Sequence, residues 1–184
     1  KMTKNTLGNV PNWDLSDFYS SIKDKKIASD LENCAKNAKS FAKKYQGKVE
    51  KLSAPDLFRA IKKYEEISEK MAEISSYSYL IYAIDLSNQK NIAFHQDISE
   101  KLTDPSSELI FFSLEINEID EKSIQKLLKS DENLQKYSPF IRDIRSFRKH
   151  QLSHDLEKFS LEKNITACDA WIRFFDETVS NLEF

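Results

Sequence analysis

His150 and His154 stand four residues apart, in His150-Gln151-Leu152-Ser153-His154. On a helix that spacing puts both imidazoles on one face. Metal-dependent hydrolases use the same spacing in H-E-x-x-H, where the Glu after the first His is the general base for a metal-bound water. Gln151 holds that position here, and an amide has no basic site at neutral pH. The pair therefore cannot run that chemistry. The third histidine, His95, stands alone. With Asp155 or Glu157 the pair makes half of a metal site. The simpler reading is a loop-to-helix junction, with Ser153 capping the helix that follows.

Other reactive side chains give no constellation. Arg142, Arg145, Arg148 and Lys149 form a basic stripe that could fork onto a peptide carboxylate. Pairing with Asp143, Asp155 or Glu157 is the commoner fate of such a stripe. Tyr77, Tyr79 and Tyr82, with Phe111 and Phe112, concentrate aromatic surface mid-chain, and their helical spacing points to core packing. Ser16, Ser20 and Ser21 have no His or Lys partner in sequence reach, and no G-x-S-x-G surrounds any serine. Cys34 and Cys168 are too few and too far apart for a disulfide framework or zinc knuckle, which fits a reduced, cytoplasmic setting.

Composition sets the class. The 184 residues suit one domain large enough for an unstapled core. The formal net charge of −2 gives no electrostatic reason to expect nucleic acid or an anionic membrane as partner. The lysines at the start precede no apolar signal-peptide core, and no apolar run approaches the ~20 residues of a membrane span. The chain contains only 2 glycines, Gly8 and Gly47, so a phosphate-binding glycine loop is excluded. Long helices with short links are the expected architecture.

The elements that must position these residues follow from periodicity. Residues 1–22 read as an extended arm and short turn, with Asp14 capping the turn. Residues 24–120 read as long helices. The first runs from about Asp24 to Tyr45 on the seam Ile27, Leu31, Cys34, Ala38, Phe41 and Tyr45, and Gly47 stops it. Ser53 caps the second, with Pro55 in its first turn and the seam Leu57, Ile61, Tyr64, Met71, Ile74, Ser78 and Ile81. Carried to Ile84, it spans roughly 45 Å. After a polar turn at Asp85–Asn88, a third helix keeps its phase across Pro105 through Phe94, Ile98, Leu102, Leu109, Phe112, Ile116 and Ile119. One kinked helix is expected there. Two long helices on a short link predict an antiparallel hairpin. Residues 121–184 read as shorter helices at Glu121–Lys129, Pro139–Lys149, Ser153–Asn164 and Cys168–Ser180. Asn181-Leu182-Glu183-Phe184 alternates as a strand would. The fold class is all-α, an elongated helical domain.

Four stretches carry a family resemblance. Arg145-Ser146-Phe147-Arg148-Lys149-His150-Gln151-Leu152-Ser153 resembles an R-x-F-R-P-H-x-L-S segment, with Lys149 in place of the usual Pro. Ala170-Trp171-Ile172-Arg173-Phe174-Phe175-Asp176-Glu177 resembles A-W-x-R-L-F-D-E, with Ala167 near a common Gly. Leu7 to Tyr19 resembles the opening L-P-x-W-D-L-S-x-L-Y, and Phe111-Phe112-Ser113-Leu114-Glu115 resembles F-F-x-L-E. The family is oligoendopeptidase F, of the M3 zinc oligopeptidases.

The resemblance implies the N-terminal helical portion of such an enzyme (1–184), forming a wall of the channel that admits short oligopeptides. It places the H-E-x-x-H and the zinc in a C-terminal catalytic portion beyond this chain. This chain is then expected to hold no zinc, to contribute no catalytic or metal-ligating residue, and to cleave nothing alone. Trp13 and Trp171 are expected to anchor packing. The face that docks the catalytic portion should be an exposed apolar patch, open to self-association. The competing reading is a stand-alone helical interaction module without catalytic activity, whose surface should be well covered.

Overall fold

A computed structural model describes residues 13–182. Eight α-helices follow in order: α1 (Lys25–Tyr45), α2 (Ala54–Ile84), α3 (Gln89–Glu118), α4 (Glu121–Ser130), α5 (Glu132–Gln135), α6 (Ser138–Ser146), α7 (His154–Asn164) and α8 (Cys168–Ser180). Two 3-10 turns, Val49–Lys51 and Arg148–His150, join them, and no strand occurs among the described residues.

Local chemistry sets the helix ends. Asp24 caps α1 by accepting the Lys26 N–H at 2.9 Å. Gly47 leaves the helix with φ 72°, a left-handed conformation that costs a glycine little. Ser53 caps α2 and accepts from the Asp56 N–H at 3.3 Å. Asn88 caps α3 by accepting from Lys90 N–H at 3.0 Å. Helix α3 runs unbroken through Pro105. Around it Ser99, Thr103 and Ser106 each turn a hydroxyl back to a carbonyl one turn earlier. Such back-bonding of Ser and Thr hydroxyls often bends a helix.

The expected hairpin is present. Helices α2 and α3 pack antiparallel with α1 alongside, and the core divides in two along them. At the open end of the hairpin, Phe41 of α1, Ile61 of α2 and Phe112 of α3 meet Ile124, Leu134 and Ile141 of α4, α5 and α6. Phe41 and Phe112 are in edge contact at 5.1 Å. Near the hairpin turn, Ile74 and Tyr77 meet Ile98 and Leu102, closed by Tyr19 from the turn after Leu15. Met71 packs against both clusters. Helix α3 is buried on nearly every side from Leu109 to Ile119, wider than the narrow seam read from its sequence.

Some expectations need correction. Trp13 and Trp171 are each 72% exposed and anchor nothing among the described residues. Helix α6 stops at Ser146 instead of reaching Lys149, which lies in the second 3-10 turn. The Val49–Lys51 turn and short α5 were not expected. Asn181 ends α8 in a turn, and Glu183 and Phe184 of the expected strand lie outside the described residues. So do Leu7 to Asn12 of the opening motif.

Candidate functional site

The histidine pair does not share a helix. His150 ends a 3-10 turn, residues 151–153 break the helical path, and His154 opens α7. His154 Nε2 lies 2.9 Å from Glu118 Oε1. Ser153 holds the cap position, but its side chain makes no cap hydrogen bond. Glu157 turns back instead, and its Oε1 accepts the Leu152 N–H at 2.8 Å. Gln151 is a strut. Its Oε1 accepts from Asn117 Nδ2 at 2.8 Å, which ties the link to α3.

Among the described residues, no three His, Cys, Asp or Glu side chains group to hold a metal ion. The two histidines sit on separate elements, and His154 is engaged by Glu118.

The basic stripe splits. The Arg145 side chain is 9% exposed and donates to the carbonyls of Ile116 and Ile119, each at 2.8 Å, and to Glu121 at 2.9 Å. It thereby satisfies carbonyls left open at the end of α3, where the helix dipole also favours a cation. The Gln125 hydrogen bond and then Arg145 hold the Glu121 carboxyl below its ordinary value. Arg142 pairs with its neighbour Asp143 on the exposed surface. Neither Asp155 nor Glu157 takes part in those pairs.

Glu115, the last residue of the F-F-S-L-E stretch, has a role that spacing did not reveal. Its carboxylate is buried and accepts the Gly47 N–H at 2.6 Å and the Val49 N–H at 3.1 Å. One side chain from α3 thus satisfies the backbone where α1 ends. A Glu on the apolar side of a helix was the available signal.

The aromatic group divides by burial. Tyr77, Tyr82, Phe111 and Phe112 are buried, whereas Tyr79 is exposed. Tyr82 donates to Asp176 of α8 at 3.3 Å and stacks on His95 at 5.1 Å. Burial first, then Asp176, pushes the Tyr82 phenol up to about 12. Ser78 donates its hydroxyl to the Ser75 carbonyl, so the 3.0 Å contact with His95 Nδ1 requires that nitrogen to carry the proton. Burial, then Arg173, keeps His95 below its ordinary pKa, and Asp169 opposes them.

These contacts aim α8 in an unusual direction. Asp169, Arg173 and Asp176 line a small cavity of about 150 Å³ shared with Tyr79, Tyr82 and His95 of the hairpin. Trp171, Phe174 and Phe175, at three- and four-residue spacing, point away and are 63–72% exposed. Leu156 and Phe159 of α7 are exposed as well, and neither helix has a buried residue. A helix normally turns such a stripe inward. Here the polar side meets the domain and the apolar side meets solvent. Contiguous exposed apolar surface of this kind marks an interaction site.

This all-α hairpin domain with an uncovered apolar helix face has a solved counterpart. Its fold matches oligoendopeptidase-F from Enterococcus faecium with TM-score 0.72 and 20% identity, over 83% of this chain and 29% of that one. Residues 115–184 match the family profile of the M3 peptidase N-terminal region, described as oligopeptidase F. No curated protein matches the chain. The chain thus carries the N-terminal sequence signature of oligopeptidase F from Glu115 onward, on the fold of an oligoendopeptidase F. The profile contains two of the four resembling stretches whole, Arg145–Ser153 and Ala170–Glu177, together with the last residue of a third. The chain spans less than a third of the solved enzyme's length.

Proposed function

We propose that this chain is the N-terminal channel-wall domain of a cytoplasmic zinc metallopeptidase that hydrolyses short oligopeptides. The metal, the general base and the scissile-bond contacts belong to a C-terminal catalytic portion, which the apolar face of α7 and α8 docks. The observation that carries the reading is the outward stripe Trp171, Phe174 and Phe175, because it lies inside the segment that matches oligopeptidase F. Burying each such side chain contributes about 1.5–3 kcal/mol, enough for a few of them to hold two parts together.

The test compares two polypeptides, this chain and a longer one continuing through an H-E-x-x-H, against a fluorogenic oligopeptide with zinc present. Turnover should come from the longer polypeptide only and fade as substrates become too long to thread inside. Cleavage by the 184-residue chain alone would sink the proposal. So would one equivalent of zinc retained by this chain after dialysis and lost in a His150→Ala/His154→Ala variant.

A further inference from the structure

Asn37, Ser40 and Lys44 share one face of α1, and Arg59, Lys62 and Lys63 share one face of α2, by three- and four-residue spacing. Helices α1 and α2 pack against each other, and these two faces become the walls of a groove of about 450 Å³. Phe41 and Tyr45 form its floor; both are buried and offer a ligand little ring surface. The chemistry of the groove therefore lies in its walls.

Those walls are one-sided in charge. Lys44 on one side and Arg59, Lys62 and Lys63 on the other face a single lining carboxylate, Glu66. The whole chain carries a formal net charge of −2, so the excess is local. Existing pairs leave much of it uncommitted. Glu66 takes Lys63 at 3.1 Å, and Asp56, outside the lining, takes Arg59 through one nitrogen. Both are three-residue pairs on an exposed helix surface, and such pairs are weak. A guanidinium has five N–H donors, of which that contact uses one end. Among the described residues, Lys44 and Lys62 form no salt bridge. The Lys44 ammonium lies over the Tyr45 ring instead, 4.8 Å from its centroid, which holds it beside the groove. Asn37 and Ser40 add an amide and a hydroxyl to the Lys44 wall.

A small single-centred anion meets one wall only. An anion with several charges along a short chain reaches both, and its second contact is made from an already high effective concentration. We propose that this groove binds a soluble oligophosphate, two or more linked phosphates, between Lys44 on α1 and Arg59, Lys62 and Lys63 on α2. Asn37 and Ser40 donate to it from the α1 wall. The site stands apart from the peptidase reading and does not depend on it.

The test is a titration of the 184-residue chain with inorganic triphosphate, at low salt and without divalent metal, followed by amide resonances. Shifts should centre on Asn37, Ser40, Lys44 and Lys62. Inorganic monophosphate at matched ionic strength should bind at least about tenfold more weakly. Lys44→Gln/Lys62→Gln should weaken triphosphate binding to a similar degree with the melting temperature unchanged. Lys25→Gln/Lys90→Gln removes the same charge from exposed positions outside the groove and should leave binding as it was. Equal losses in the two variants, equal binding of monophosphate and triphosphate, or no shift at millimolar triphosphate each overturn the proposal. Tighter capture by a duplex oligonucleotide, or by vesicles of anionic phospholipid, would give the groove to another polyanion and overturn it as well.

Discussion

Single residues carry more of this structure than the sequence motifs suggest. Glu115 supplies both acceptors for the chain reversal after α1. Replacing it by Leu should leave two backbone donors unpaired and cost about 3 kcal/mol, read by urea unfolding. Glu115→Gln, which keeps one acceptor oxygen, should cost less. An equal loss for both variants would mean that charge, not donor pairing, is what matters. His95 gives a pH dependence with a definite sign. Its pKa is lowered on folding, so the unfolded chain takes the proton first. The stability it contributes is present above its ordinary value of 6.5 and lost as pH falls through the lowered one. Arg173, Asp169 and Asp176 of α8 and Tyr79 and Tyr82 of α2 line the same cavity. Amide exchange in α8 should therefore quicken on acidification after correction for intrinsic rates. His95→Leu should flatten that response, and a response unchanged in the variant would assign it elsewhere. None of this was legible in the sequence. Periodicity reports which face is buried, not which buried polar group meets which backbone atom 68 residues away.

At the scale of elements the sequence was far more informative. The cap at Ser53, the stop at Gly47 and the phase across Pro105 are local chemistry, and local chemistry is what a sequence displays. The ends that were missed are the ones set by tertiary contacts. Helix α6 gives way at Ser146, and Gln151 in the break that follows is bonded to α3. The histidine spacing failed for the same reason, since four residues mark a shared face only while one helix continues. Arg145 shows what such a contact is worth. It caps α3 from 26 residues away. Arg145→Ala should cost about 2 kcal/mol in thermal unfolding. Arg145→Lys should recover little, because an ammonium cannot reproduce the planar fork that spans two carbonyls and a carboxylate. Full recovery with Lys would reduce the role to charge at the helix end.

For the whole molecule, the decisive fact is which way α8 faces. Its apolar positions are plain in the sequence, and burial is the ordinary expectation for them. Only the contacts of Asp169, Arg173 and Asp176 show that the polar side was turned to the hairpin. The chain should therefore self-associate at high concentration through that face. Trp171→Ser/Phe174→Ser/Phe175→Ser should abolish the association in sedimentation without lowering the melting temperature. A large drop in melting temperature would place these side chains in a core, and unchanged association would move the contact to another surface.

The Glu115 clasp also bears on the order in which the chain folds. The hairpin closes over a short polar turn, so its contacts are local and available early. The clasp needs α1 seated against a finished α3, across a long closed loop, and is therefore expected to form after the folding barrier is crossed. Weakening it should leave the folding rate nearly unchanged and raise the unfolding rate, so that this carboxylate acts as a brake on escape from the native state.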